Sequence, residues 1–364
     1  MRLGDYIEEL CEKTNINNQY EVLTSSQNGI VSQKDYFNKQ VASENNIGYK
    51  IIKKGEFTYR SMSDTGLFYI NQLINYEIGI VSPAYPVFRI SNNNLDPEFL
   101  QFYFQSSKFQ HQICNQSTGS TRLALKFRKL ASLDISIPSL IKQKKIICNL
   151  KTFKNAIKIE EKQLFLLDEL IKSRFVEMFM IDEKDKYPLK KWKDVAIIKH
   201  GKDYKKNIAS DGGYPVYGSG GFMGVYADKN LANENSIIIG RKGTIDKPIL
   251  VKEKIWNVDT AFAVEVKKEF LNPIFFYVRS TLYDLKSMST STTLPSMTQS
   301  TLHNIEIGIP PIKLQNEFAN FVKQIDKLKF VVHSRYFLCE ILTLFSSTIA
   351  YSRVVSILAC PNIF

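Results

Sequence analysis

Residues 117–145 recur without a gap at 289–317, and this duplication restricts the possible fold more than any other feature of the chain. Ser117, Thr118, Thr121, Leu130, Asp134, Ile135, Ile137, Pro138 and Gln143 return as Ser289, Thr290, Thr293, Leu302, Glu306, Ile307, Ile309, Pro310 and Gln315. Every pair has one offset (289 − 117 = 172; 310 − 138 = 172). That period exceeds any solenoid repeat and has the size of a whole domain. The expectation is a tandem pair of units, each a domain followed by a helix.

Weaker matches extend upstream. Val81–Val87 (VSPAYPV) answers Val258–Val264 (VDTAFAV) at offset 177 (258 − 81 = 177), and Tyr59-Arg60 answers Gly240-Arg241 at 181 (241 − 60 = 181). Tyr20–Ser25 is aligned with Tyr214–Ser219 at 194 (214 − 20 = 194). Changes in loop length between two copies of one fold produce such a drift.

After the first repeat the apolar period becomes helical. Leu150, Ile157, Leu164, Ile171 and Met178 are spaced by sevens, with Ile146, Phe153, Glu160, Leu167 and Arg174 as the partner series, and no Gly or Pro lies between Pro138 and Pro188. The pattern predicts one helix with a heptad seam, roughly 35 to 40 residues and about 55 Å long. A second series, Leu314, Phe318, Phe321, Ile325, Leu328 and Val332, follows the second repeat. Antiparallel pairing of the two stripes would set the domains at opposite ends; packing of each helix on its own domain is the alternative.

The domains read as α+β. Strands are expected at Ile51–Tyr59, Gly79–Ile90, Ile135–Ile137, Ser236–Ile239, Trp256–Val266 and Ile305–Ile309. Helices are expected at Pro97–Lys108 and Pro273–Leu285, each with Pro in its first turn. The resulting division is 1–140, 141–186, 187–311 and 312–364.

A net charge of +12 favours a polyanionic partner. The five cysteines are scattered without a C-x-x-C pair, the four histidines are isolated, and no signal peptide is visible at the start. No disulfide framework or zinc site is expected, and the reducing cytoplasm is the default compartment. Gly218–Gly224 (GSGGFMG) lacks the third glycine of a dinucleotide fingerprint, Gly240–Thr244 (GRKGT) lacks Walker spacing, and no nucleophile elbow or HExxH helix occurs. No chemistry by the chain alone is expected; an enzyme with an unrecognised motif remains an alternative.

These loops do offer donors. Tyr217, Ser219, Gly220 and Gly221 let backbone N–H groups approach a ligand, and Arg241 with Lys242 projects two cations from a strand end. In the first copy Arg60 holds the matching place, while Arg122, Lys126 and Arg128 follow the Ser-Thr-rich stretch. Arg reads guanine bidentately, and Ser, Thr and backbone N–H groups fix phosphates. For each single cation, an ordinary solvated surface charge is the competing assignment.

The order of domain, Ser-Thr stretch, strand ending in Ile-Pro, Gln and long helix, given twice, resembles the specificity subunit of type I restriction-modification systems. Its closest phrases are Tyr214–Gly221 (YPVYGSGG), Ile239–Thr244 (IGRKGT), Val258–Phe262 (VDTAF), Leu302–Pro311 (LHNIEIGIPP) and Leu314-Gln315. The resemblance implies two target recognition domains, each reading half of a split site in double-stranded DNA, held apart by two long antiparallel coiled-coil helices. It also implies that two modification (methyltransferase) subunits and the restriction (translocase and endonuclease) subunits dock on this scaffold. S-adenosylmethionine, Mg and ATP would belong to those partners, with no cofactor in this chain.

The first copy departs from the pattern by lacking the Gly-Arg-Lys-Gly phrase, as expected of domains reading different half-sites. Past Lys329 the tail is apolar, with only Arg335, Glu340 and Arg353 charged. It is read as a buried helix for a partner or as sequence altered by recombination or frameshift. A membrane anchor lacks the clean apolar run it needs. A protein-interaction scaffold or a carbohydrate binder is the other functional class left open.

Overall fold

A computed structural model describes residues 1–36, 45–116, 123–180, 186–209, 212–289 and 295–350. The chain forms two compact units, one of Met1–Ile159 with the chain from Arg335 on, the other of Glu160–Ser334.

In the first unit an antiparallel sheet has the strand order Ile7–Leu10, Val87–Ile90, Phe57–Thr58 and Asn71–Gln72. Asp96 caps the helix Pro97–Gln105 by accepting from the backbone of Glu98 and Phe99, and Pro97 occupies the first turn, where a missing N–H costs nothing. That helix buries Phe99, Leu100, Tyr103 and Phe104. Phe104 packs edge-on to both Phe57 and Phe88 of the sheet, at 6.1 and 6.2 Å between centroids. A separate hairpin, Leu23–Ser26 with Gly29–Ser32, is preceded by a parallel bridge from Val22 to Ile80.

The second unit repeats this plan. Its sheet has the order Ala196–His200, Ala261–Val266, Ser236–Gly240 and Ile249–Val251. Asn272 caps the helix Pro273–Thr281, which buries Phe275, Phe276 and Val278. The hairpin Tyr214–Gly218 with Gly221–Ala227 pairs through Val216 and Tyr217, in parallel, with Trp256 and Asn257.

The pairing registers fix how the two copies correspond. The parallel partners Val22 and Val216 confirm offset 194 (216 − 22 = 194). Leu3 N donates to Leu133 O as Trp192 N donates to Ile305 O (305 − 133 = 172; 192 − 3 = 189). Ile7 then faces Ile90 as Ala196 faces Val266 (266 − 90 = 176), and Thr58 faces Val87 as Ile238 faces Ala263, giving 180 (238 − 58). The sequence alignments at 181 and 177 are therefore each one residue out. Small insertions in exposed turns move a phrase without moving the ladder, and the ladder decides which residues share a place.

Several expected strands are shorter than their apolar runs. Ile51–Tyr59 is split by Gly55, which turns at φ +91°, and Gly79–Ile90 and Trp256–Val266 each break into two strands around a turn. Ser236–Gly240 and Glu306–Gly308 form as expected. Ile135–Ile137 forms no strand: Asp134 bridges Arg2 and Ile135 donates to Met1, whereas Leu189–Lys191 gives Glu306–Gly308 a full three-residue partner. The helix expected over Pro97–Lys108 stops at Gln105 and a second, Ser107–Gln116, follows.

Both long helices form, as Leu140–Phe179 and Ile312–Ala350; residues 351–364 of the apolar tail lie outside the described residues. Within the second unit the two run antiparallel, since Phe175 and Phe179 meet Phe318 at 5.3 and 5.6 Å while Asp168 pairs with Lys329. The C-terminal helix keeps Phe318, Ile325 and Val332 of the expected stripe and shifts the partner positions by one residue. Phe318, Val322, Ile325 and Val332 are buried, and Leu328, placed on the stripe by the sequence series, is 53% exposed. Lys329 takes the seam position instead, laying its aliphatic stem along it with the ammonium on Asp168.

Candidate nucleic-acid interface

Two turns of the second unit meet at one edge. Ser219 and Gly220 form the two-residue tip of the hairpin, closed by Gly218 opposite Gly221, whose φ of +112° suits only glycine. The other turn, Gly240–Thr244, folds back so tightly that a Cβ on Gly240 would stand 2.0 Å from the Thr244 carbonyl oxygen. A Cβ on Gly243 would lie 3.7 Å from Ser219 Oγ, so the hairpin tip rests against this turn. The structure thus brings together Ser219, Gly220, Gly221, Arg241 and Lys242.

Backbone bonds hold the cation-bearing turn. Arg241 N donates to Thr260 O at 2.7 Å, and its carbonyl accepts from Met297 N at 2.8 Å. Lys242 bridges Ser296, and Gly243 N donates to Pro295 O at 3.2 Å. The Arg241 guanidinium donates to Asp259 O at 3.3 Å and stays half-buried. The Lys242 ammonium is exposed, with no ion pair among the described residues.

Beside these cations lies a hollow of about 200 Å³ lined by His200, Arg241, Lys242, Ser296, Thr298 and Gln299, among others. Gln299 Nε2 donates to Ile198 O at 2.8 Å, which turns Oε1 toward His200 Nε2, also at 2.8 Å. With Gln299 Nε2 committed to Ile198 O, its Oε1 accepts from His200 Nε2. His200 was invisible in the sequence as one of four isolated histidines, because 99 residues separate it from Gln299. Ser296 and Thr298 lie inside the duplicated block, which was their only sequence signal.

Tyr217 lies on the hairpin strand with its ring 5.9 Å from Phe222. Burial, then the charge of Glu253, pushes its hydroxyl pKa above the ordinary phenol value, so it remains a neutral donor.

The first unit holds cations at the same place by another route. Leu125 N donates to Ser61 O at 2.8 Å, the bond that Met297 makes to Arg241 (297 − 125 = 172; 241 − 61 = 180). Ser61 and Met62 thus occupy the places of Arg241 and Lys242, and Arg60 occupies that of Gly240. Arg60 is exposed one residue before its expected position. Across the same rung, Lys126 begins the short helix Phe127–Ala131, where Thr298 begins Gln299–His303 (298 − 126 = 172). Thr298 caps its helix by accepting from Thr301 N at 3.1 Å, whereas the Lys126 side chain makes no cap and is exposed with Arg128. Cations therefore flank one rung in both units, on the turn (Arg60) and the short helix (Lys126, Arg128) in the first and on the turn (Arg241, Lys242) in the second. Arg122 lies outside the described residues.

No cluster of metal ligands occurs among the described residues, and none of their helices is long and apolar enough to cross a membrane.

A family model described as the type I restriction modification DNA specificity domain matches residues 6–167 and again 184–334. The crystal structure of the S subunit of a type I restriction-modification system from M. genitalium superposes with a TM-score of 0.57 at 14% identity, covering 97% of this chain and 96% of that one. A structure reported for complex assembly and conformational transition of the type I R-M system gives a TM-score of 0.63 at 14% identity, covering 97% of each chain. No curated protein sequence matches the chain.

Proposed function

Because the chain belongs to the type I restriction modification DNA specificity family, we propose that it is the subunit that reads a bipartite DNA site for a restriction-modification complex. Residues 1–140 and 187–311 each read one half-site, and residues 141–186 and 312–364 supply the helices between them. One observation carries this reading. Both units set cations beside an equivalent backbone rung, Ser61 to Leu125 and Arg241 to Met297, but at different positions: Arg60, Lys126 and Arg128 in one, Arg241 and Lys242 in the other. A shared frame with different side chains is what reading two sequences with one fold requires.

In this reading Arg60, Lys126 and Arg128 contact DNA from the first unit, and Arg241, Lys242 and the Ser219–Gly221 tip from the second. Arg122 is included on its sequence position alone. Methylation and cleavage fall to two modification subunits and to restriction subunits, which supply their own cofactors, and the complex works in the cytoplasm. Docking of such partners is supported by large apolar side chains left exposed on otherwise charged helices, Phe165, Leu166 and Leu170 on one and Phe330 and Val331 on the other.

Exchanging residues 190–311 for the equivalent part of a relative, followed by methylome sequencing of the host, tests the division of labour. One half of the methylated motif changes and the other stays. A change in both halves, or in neither, overturns it.

A further inference from the structure

The second unit's hairpin exposes a row of rings that its own fold leaves uncovered. Tyr217 is half-buried, while Phe222 and Tyr226 are 47% and 43% exposed. Centroids lie 5.9 Å apart from Tyr217 to Phe222 and 5.4 Å from Phe222 to Tyr226, so the three rings form one continuous strip. Exposed Met223 adjoins it. The hairpin of the first unit has no such strip. Its Thr24, Ser25 and Ser26 are buried, Ser25 Oγ donates to Tyr69 O at 2.7 Å, and Asn71 Nδ2 donates to Ser25 Oγ at 2.9 Å.

Both ends of the strip are basic. The tip rests on the turn that carries Arg241 and Lys242. At the base, Ala209 N donates to Tyr226 O at 3.0 Å and Asp228 N to Asn207 O at 2.9 Å, which ties the exposed turn of Lys205 and Lys206 beside Tyr226. Asp203, Asp228 and Glu253 are the acidic groups nearby, and Asp203 accepts from the backbone of Lys205. An apolar aromatic strip with cations at both ends matches the chemistry of a nucleic-acid groove, where base and sugar faces lie between two lines of phosphate.

We infer that Phe222 and Tyr226 form a stacking wedge for duplex DNA, pressing on a base step of the half-site read by the second unit while the flanking cations hold the adjacent phosphates. The inference rests on the DNA-reading function proposed above and adds a contact that carries no charge. Aromatic stacking on a base is worth on the order of tenfold or more in affinity per ring and does not depend on counterion release.

The test uses the full chain and a duplex carrying the motif found methylated in the host, with 2-aminopurine placed in the second half-site. The wild-type chain raises the fluorescence of the unstacked base. Phe222→Ala and Tyr226→Ala each lower affinity on the order of tenfold at every salt concentration, leave the slope of log K against log salt unchanged, and lose the fluorescence rise. Phe222→Leu, which keeps an apolar side chain in the strand, carries the same expectation should the alanine variant fail to fold. Unchanged affinity and fluorescence in a folded variant would overturn the wedge, as would a loss that appears only as a shallower salt slope. Lys242→Ala separates the two ideas. If it weakens binding while the ring variants do not, DNA reading stands and the wedge falls; if the wild-type chain binds no duplex, DNA reading falls and the wedge with it.

Discussion

Gln143 Oε1 accepts a hydrogen bond from the backbone N–H of Asp96 at 2.8 Å, linking the first turn of a long helix to the cap of the helix that closes the first sheet. Its Nε2 donates to Asn94 O at 2.7 Å and to Pro138 O at 2.8 Å. Gln315 repeats all three bonds, accepting from Asn272 N at 2.8 Å and donating to Phe270 O at 3.0 Å and Pro310 O at 2.8 Å. Both glutamines are fully buried. Each joins a long helix to the compact unit that precedes it.

Gln143→Ala and Gln315→Ala should each cost about 2–3 kcal/mol, because one backbone N–H and two carbonyls lose partners out of reach of water. The two joints share no partner, so the double variant should lose the sum to within about 0.5 kcal/mol. Urea denaturation measures this. A cost below 1 kcal/mol for either single variant would show that the joint is not held this way.

Lys242→Ala should weaken duplex binding and lower the magnitude of the salt slope by about one, the signature of one lost phosphate contact. Lys126→Ala should do the same from the first unit. Binding titrations across salt concentrations decide it, and an unchanged slope in both variants would remove these lysines from the interface.

Glu265 gives the second unit a defined acid limb. Burial pushes its carboxyl pKa up, but the Lys199 ammonium at 2.6 Å and the backbone and amide of Asn233 at 2.8 and 3.2 Å hold it, on balance, below the ordinary value. A folded value below the unfolded one adds stability above the unfolded carboxyl range, about pH 4.3, and that stability is lost as pH falls through the folded value. Glu265→Gln should therefore flatten the fall of stability on the acid side. Denaturation midpoints measured against pH would refute this if wild type and variant stay parallel.

Tyr59 is fully buried, and its hydroxyl has no hydrogen-bond partner among the described residues. Burial, with the charge of Glu9 adding to it, raises its pKa. Tyr59→Phe should stabilise the first unit by about 1 kcal/mol by removing an unpaired buried donor. A fall in the denaturation midpoint would mean that the hydroxyl is bonded after all.

The doubling was legible because Gln143 and Gln315, with the Ile-Pro that precedes each, perform one structural task with the same three bonds. The long helices were legible because nothing interrupts their period. The partner positions were not, since Leu328 and Lys329 fit the same alternation and the contact of Lys329 with Asp168 exists only once the helices face each other. Arg60 was misplaced by one residue because loop lengths differ between the copies and only ladder register locates the rung. His200 with Gln299 had no sequence signal, since a hydrogen bond across 99 residues exists only after the sheet forms.

Gly240 turns the cation-bearing loop through a space that admits no side chain, and the first unit has Arg60 at that very place. The turn built on Gly240 therefore cannot carry the first unit's residue at this place without moving its backbone. The first unit instead carries its charge on Arg60 itself and beside the neighbouring short helix, on Lys126 and Arg128.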